Sequence, residues 1–404
     1  MTTLSTLRCA LVGCGRIAKR HAELLGNSQI ANARLAAVCD IVPSRAEAIG
    51  TQFGVLSYTD MHDMMRREAI DVIVVLTESG LHADHVVALA RYGKHIVVEK
   101  PMALTLSDAD RMIAACDAAR IRLFVIKQNR FNVPVVKLRE ALEAGRFGKL
   151  VMGTVRVRWC RTQQYYDQDP WRGTWALDGG VLANQASHHI DMLEWMMGDV
   201  DSVFAMSRTA LVEVETEDTA VVALRFANGA LGLIEATTAT RPKDLEGSIS
   251  VLGEGGAVVI GGFAVNEMIT WKFTKAEHGD GDVLQKYSVN PPSVYGFGHQ
   301  AYYDHVVSCI MNDSAQLVDG LAGRRSLELI SAIYESIETG KEVSLRFKPA
   351  RCKLGQRGRR RAATCCAGCW PRHGHSTPDA RSRTRSVDSR NTSSALPRRQ
   401  LRAS

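Results

Sequence analysis

Lysine and histidine are the side chains best suited to holding or moving a proton near neutral pH, and two of them stand in informative places. Lys100 follows the apolar run Ile96 to Val98, inside Glu99-Lys100-Pro101. Such a run reads as a buried parallel strand, and open α/β sheets collect ligands at the carboxyl ends of their strands. A cation there can hold a reacting hydroxyl in line. His188 lies in Asp178-Gly-Gly-Val-Leu-Ala-Asn184-Gln185-Ala-Ser-His188-His189-Ile-Asp191. The spacing predicts a helix over 179–197 on which Asn184 and His188 share a face, with Asp191 one turn further along. An imidazole of near-neutral pKa suits general-base work. No acid or cysteine stands at ligand spacing from it, so no metal is expected.

These residues need elements to carry them. Ahead of Lys100, a strand from Arg8 runs into Gly13-Cys14-Gly15-Arg16-Ile17-Ala18 and then a helical pattern. Gly13 permits the tight turn, Gly15 lets backbone approach a pyrophosphate and Ala18 allows close helix packing, while Arg16 and Ile17 open a helix whose N-terminus faces phosphate. The next strand, from Leu35, ends in Asp40, placed to accept from a ribose 2′-hydroxyl and to repel a 2′-phosphate; this favours NAD over NADP. Arg45 is either a 2′-phosphate partner or a solvated residue of the following helix. A third strand, Asp71 to Leu76, delivers Thr77, Glu78 and His82 to the same edge, where His82 either touches the cofactor or simply opens a helix. A strand over 122–126 completes a dinucleotide-binding domain of residues 1–126.

From Lys127-Gln-Asn129-Arg130-Phe-Asn the pattern changes to alternating strands with hairpin signals such as Asn228-Gly229. A second, α+β domain over 127–347 is expected, with a large open antiparallel sheet covered on one face by helices near 179–197, 298–311 and 321–339. Arg158, Arg161, Tyr165 and Tyr166, continuing to Trp171-Arg172-Gly-Thr-Trp175, read as a basic, aromatic lip for an anionic substrate. The overall class is therefore α/β.

Composition bounds the rest. Of the 50 Lys and Arg, 15 lie in residues 348–404 with 2 of the 43 acids, so the formal charge of +7 hides a mildly acidic body of 35 basic against 41 acidic residues. That argues against nucleic acid as a partner of the body. The six body cysteines have no paired spacing, which suits a reducing cytoplasm, and no apolar run of 18 residues suggests a membrane span. The tail after Gly355 has too few branched aliphatics for a core and reads as a disordered basic segment, with the composition of an altered reading frame. Its removal is expected to leave folding intact. Cys365-Cys366-Ala-Gly-Cys369 with His373 and His375 has no scaffold to make a zinc site.

Gly13-Cys-Gly-Arg-Ile-Ala18, Glu99-Lys100-Pro101 and the Gly179-Gly180-x-Leu182 pattern ending at His188 and Asp191 together resemble the Gfo/Idh/MocA oxidoreductases. The resemblance covers residues 7 to about 347 and implies a Rossmann domain with an open-sheet domain, NAD as cofactor, Lys100 positioning a substrate hydroxyl and His188 as base. Asn184 departs from the family, where many members carry Asp. Within the family, Lys127 to Asn132, Arg161 with Tyr165-Tyr166, Trp171 to Trp175 and Asn184 to Asp191 are similar to bacterial dehydrogenases that oxidise C3 of UDP-N-acetylglucosaminuronate. The resemblance then implies Thr77, His82, Glu99, Trp171 and Arg172 beside the cofactor. It implies Lys127, Asn129, Arg130, Arg158, Arg161, Tyr166, Asn184 and Gln185 around a nucleotide sugar, in a homodimer or homotetramer. A simple-sugar or inositol dehydrogenase, or a non-enzymatic cofactor sensor, are the alternatives.

Overall fold

Short runs of β-branched and aliphatic residues, buried on both faces, build the first sheet. In the computed structural model, which describes residues 6–288 and 297–345, these are β1 (Leu7–Val12), β2 (Ala33–Cys39), β3 (Leu56–Tyr58), β4 (Val72–Val75), β5 (His95–Val98) and β6 (Leu123–Val125). All pair in parallel, in the order β3-β2-β1-β4-β5-β6. The crossovers run through α1 (Ala18–Gly26), α2 (Pro43–Phe53), α3 (Met61–Arg67), α4 (His82–Ala90) and α5 (Leu106–Ala119). Local chemistry sets their ends: Pro43 begins α2, Gly54 ends it in the left-handed region, and the Thr105 hydroxyl accepts from Asp108 N at 3.1 Å to start α5. The strand order reverses between β1 and β4, which opens a crevice at the carboxyl ends of the strands.

The remaining elements are α6 (Val133–Glu143), β7 (Leu150–Arg158), α7 (Gln163–Tyr166), α8 (Ser187–Met197), β8 (Val200–Arg208), β9 (Thr219–Phe226), β10 (Leu231–Thr237), β11 (Glu246–Gly253), β12 (Gly256–Gly261), β13 (Glu267–Phe273), α9 (Val283–Lys286), α10 (Gly298–Met311), α11 (Gly320–Thr339) and β14 (Val343–Ser344). The eight strands form one sheet in the order β13-β12-β11-β7-β10-β9-β8-β14. The expected hairpin β9-β10 is present, but the sheet is mixed, because β7 runs parallel to β10. The chain leaves β7 for the site loops and α8 before re-entering the sheet, and that long excursion frees the strand from hairpin geometry.

One face of this sheet packs on α8, which buries every residue but Trp195. Gly153 on β7 permits the approach: a Cβ there would sit 2.5 Å from Met197. The other face is open, exposing Phe204, Met206, Val221 and Leu231. Two helical expectations change. The helix predicted over 179–197 begins at Ser187, since residues 178–186 form turns. And α10 places Tyr302, Tyr303 and Val306 in the core of the first sheet, while α11 touches both β8 and α5. The boundary at 126 is thus crossed by packing, and the described residues belong to one compact unit. The readings of the basic tail fall outside the described residues.

Candidate active site

A cleft of about 870 Å³ opens at the strand-order reversal and continues to the turns before α8. At one end, Gly13 (φ +97°) turns the chain where a Cβ would meet the Leu76 carbonyl at 2.8 Å, and nothing lies within 4 Å of a Cβ built on Gly15. A buried glycine turn with open space at the second glycine fits close backbone approach by a diphosphate at the start of α1. Asp40 accepts from Cys14 N (2.7 Å) and Val42 N (2.8 Å), so its carboxylate is fixed at the end of β2, at the cleft wall. Arg45 also lines the cleft but faces Asp169 at 3.5 Å, which gives its charge a partner inside the protein. Arg16, Ile17 and Thr77 line the same end.

His82 lies on the cleft wall with its ring nitrogens 2.9 Å from the Pro101 carbonyl and 3.0 Å from the Thr77 carbonyl. It therefore ties two loops together. Glu99 is buried between His21 Nε2 (3.1 Å) and Lys100 N (2.8 Å), and His21 Nδ1 lies 2.6 Å from the Tyr303 hydroxyl. Burial pushes the Glu99 carboxyl up, but the His21 bond and charge, with His299 and Lys100 nearby, outweigh it and hold the group at about 2. His21, Glu99 and His299 bring ligand-type atoms within 4.8 Å of one another. Both His21 nitrogens are already engaged, one with Glu99 and one with the Tyr303 hydroxyl, so the trio reads as a hydrogen-bonded cluster.

Further along, Lys100 Nζ donates to the Asn184 carbonyl (3.0 Å) and to Asn184 Oδ1 (3.2 Å). Burial lowers the Lys100 pKa against the opposing pull of Glu99 and Asp178. His188 opens α8 at the cleft wall; burial first, then the Lys100 and Lys127 charges, hold it well below 6.5, so it is a neutral imidazole. Its Nε2 is buried without a hydrogen-bond partner among the described residues, as are Gln128 Oε1 and Gln185 Oε1 on the same wall. These three residues line the cleft, but the named atoms are themselves shielded from solvent, so it is the other polar groups on the wall, Lys100 and Asn184 among them, that offer hydrogen bonds to a hydroxyl-rich ligand.

The basic lip divides. Arg161 lines the cleft, held by Asp244 (2.9 Å) and lying over the Trp159 and Tyr165 rings; Arg172 lies over Trp171 and donates to the Tyr165 hydroxyl (2.8 Å). Arg158 does not join them. Strand alternation turns it to the open sheet face, where Glu235 (2.6 Å) and Glu246 (3.1 Å) take its guanidinium. Lys127 and Arg130 also stay off the cleft wall. Arg130 clasps Asp191 at 2.8 and 2.7 Å, with Lys127 Nζ at 3.3 Å and Ser326 Oγ at 2.6 Å from the same carboxylate. Breaking one partner of such a buried pair costs about 3–5 kcal/mol, so these cations brace α8 instead of reaching for substrate. Tyr166 bonds the Thr238 hydroxyl at 3.1 Å and, like Asn129, is buried away from the cleft. Tyr165 of the expected lip does line the cleft, whereas Gln128, His21 and His299 are residues of the site region that the sequence reading missed; Gln128 sat beside residues it chose.

The chain matches two family models, "Oxidoreductase family, NAD-binding Rossmann fold" over residues 7–127 and "Oxidoreductase family, C-terminal alpha/beta domain" over 139–345. It is 43% identical to the WlbA dehydrogenase of Bordetella pertussis, solved in complex with NADH and UDP-GlcNAcA, with a TM-score of 0.81 over 85% of this chain and 99% of that one. The WlbA of Chromobacterium violaceum, in the same kind of complex, gives 40% and 0.80 over 86% and 98%. Myo-inositol 2-dehydrogenase of Thermotoga maritima is 30% identical over 84% of this chain and 98% of its own length. With a dinucleotide turn, an open-sheet partner layer and a lysine and histidine on one cleft wall, the chain belongs to the Gfo/Idh/MocA family as an NAD-dependent sugar or polyol dehydrogenase.

Proposed function

We propose that the chain oxidises a sugar secondary hydroxyl to a ketone, and that the sugar is UDP-N-acetylglucosaminuronate, oxidised at C3. The observation that carries this is one cleft wall lined by Lys100, neutral His188, Asn184, Gln128 and Gln185 together with Arg161 and Arg172. Hydroxyls satisfy the first group; a carboxylate or diphosphate suits the guanidinium pair. Similarity to two dehydrogenases solved with UDP-GlcNAcA supports the nucleotide-sugar class.

Gly13, Gly15, Arg16 and Ile17 would hold the cofactor diphosphate and Asp40 a ribose hydroxyl, with Thr77, Glu99, Trp171 and Arg172 along its length. Bound nicotinamide supplies the acceptor for the hydride leaving the carbinol carbon. Lys100 holds the hydroxyl on that carbon and favours its alkoxide-like form, and the His188 imidazole takes the proton. Arg161 orients the anionic part of the substrate. The Arg158 position, away from the cleft, favours a second reading in which a smaller polyol such as an inositol is the substrate. The open sheet face, where Arg156 and Arg158 alternate with Glu235 and Glu246 beside apolar side chains, is assigned to a second copy of the chain. The six cysteines among the described residues are all free, which suits a reducing cytoplasm.

The test is to incubate the full chain with NAD and, separately, UDP-N-acetylglucosaminuronate, UDP-N-acetylglucosamine and myo-inositol. NADH fluorescence and product mass are followed. Loss of two hydrogens from the uronate is expected. Turnover of myo-inositol without turnover of the uronate transfers the reading to the cyclitol.

A further inference from the structure

The Lys100 ammonium donates to a neutral amide, Asn184, and the nearest carboxylate behind that amide is in its own turn. Asp178 is 1% exposed. One of its oxygens, Oδ2, accepts from Gly173 N at 2.7 Å, and Oδ1 accepts from the Asn184 side-chain amide. A carboxylate only accepts and an ammonium only donates. The amide between them is therefore polarised: its NH2 must face Asp178 and its oxygen must face Lys100, as the Lys100 Nζ to Asn184 Oδ1 bond shows. The Asn184 carbonyl takes a second Lys100 proton and is itself fixed by the Ser187 hydroxyl at 2.8 Å. An ammonium has three protons, so one remains to be aimed into the cleft.

We propose that Asp178 is a positioning residue of this site: through the Asn184 amide it sets the direction of the Lys100 ammonium, and through Gly173 N it seats the loop carrying Trp171 and Arg172. The inference rests on the reading that Lys100 acts on the substrate hydroxyl. Chemically, Asp178 supplies the charge that an aspartate at 184 would supply directly, displaced by one amide. Burial raises the Asp178 carboxyl above its ordinary range, while the Gly173 and Asn184 bonds and the Lys100 and Arg172 charges oppose that rise. Asp178 in turn favours the charged form of Lys100. The two groups are thus electrostatically linked across Asn184, and the loop and the lysine share one anchor.

The experiment uses three full-length variants: Asp178→Asn, Asn184→Asp and the exchange that combines them. Asp178→Asn is isosteric but leaves one acceptor for two donors, so either the Asn184 amide or Gly173 N loses its bond and the NH2 of residue 178 stands against a donor. A kcat loss of roughly 10- to 100-fold is expected, the scale of misplacing a catalytic group, with NAD affinity and melting temperature little changed. In the exchange, the carboxylate now at position 184 accepts from both Lys100 and the amide now at position 178, whose oxygen still serves Gly173 N. It should recover most of the lost kcat, which a purely structural role for Asp178 would not produce. A second readout needs no substrate: acylation of Lys100 in the cofactor-free protein, followed by mass spectrometry. Loss of the buried charge should speed labelling roughly 3- to 10-fold in Asp178→Asn, and the exchange should reverse it. Unchanged labelling in Asp178→Asn, or an exchange variant labelled and disabled like the single one, overturns the proposal. Expected labelling with no turnover of any tested sugar, in wild type included, supports it and places the failure on the substrate reading.

Discussion

On the proposed reading, a neutral His188 and a half-buried Lys100 on one cleft wall divide the removal of a hydroxyl proton: the first would accept it and the second would hold the oxygen as charge develops. Lys100→Ala or His188→Ala should each lower kcat by roughly two to four powers of ten, the usual weight of one placed acid–base group. The double variant should lose less than the product of the two, because both serve one proton transfer. NAD affinity, measured by fluorescence titration, should barely move. A His188→Ala enzyme that keeps near-normal kcat would make the lysine the base. The direction of the His188 shift adds a pH consequence. A depressed pKa keeps the imidazole in its accepting form as pH falls through 6.5, so kcat/KM should stay flat there and decline only at lower pH. A rate profile with an acid limb centred at or above pH 6.5 contradicts this.

Turns 178–186 lie between the loop that reaches over the cleft and the start of α8, and Glu217 pins them from below. Its Oε1 accepts from Leu182 N (2.9 Å) and the Tyr334 hydroxyl (3.0 Å), its carbonyl accepts from Val181 N (2.9 Å), and its Oε2 lies where a Cβ on Gly180 would fall. Glycine at 180 is what admits the carboxyl. Burial pushes that carboxyl from 4.5 up to about 7. An acid raised on folding binds its proton more tightly in the native state, so its contribution is intact below about pH 4.5 and is lost as pH rises through about 7. The span corresponds to about 3 kcal/mol. Glu217→Gln cannot ionise, so the melting temperature of wild type relative to this variant should fall between about pH 5 and about pH 8. Parallel curves for the two proteins would show that Glu217 does not titrate in that range.

The described residues build two sheets that share helices, and the outer face of the larger one is left open. Phe204, Met206, Val221 and Leu231 are exposed on neighbouring strands, with Phe204 opposite Ala223 and Met206 opposite Val221. A contiguous apolar patch with its own balanced charges fits a symmetric partner of the same kind. Met206→Asp with Val221→Lys should reduce the mass measured by light scattering to that of a single chain while the isolated fold keeps its circular dichroism. An unchanged mass removes the sheet face from the assembly.

What the sequence determined is what depends on near neighbours. Gly13 needs a positive φ at one turn, Gly15 leaves open space beside it, Asp40 follows the next strand and Lys100 follows β5, so each was legible from a few flanking residues. The family pattern in order along the chain was legible for the same reason. Tertiary structure decided which cations remain available to a ligand. Arg130 and Lys127 are committed to Asp191, far along the chain, and Arg158 faces outward because of its parity on β7 and the acids that register brings beside it. Tertiary structure also converted the expected helical face of Asn184 and His188 into a turn followed by a helix, since Glu217, Tyr334 and Asp178 bond the 178–184 backbone and side chains in ways that a continuous helix would not allow. Local pattern selects the groups capable of chemistry; long-range pairing, burial and strand parity select which of them face the cleft.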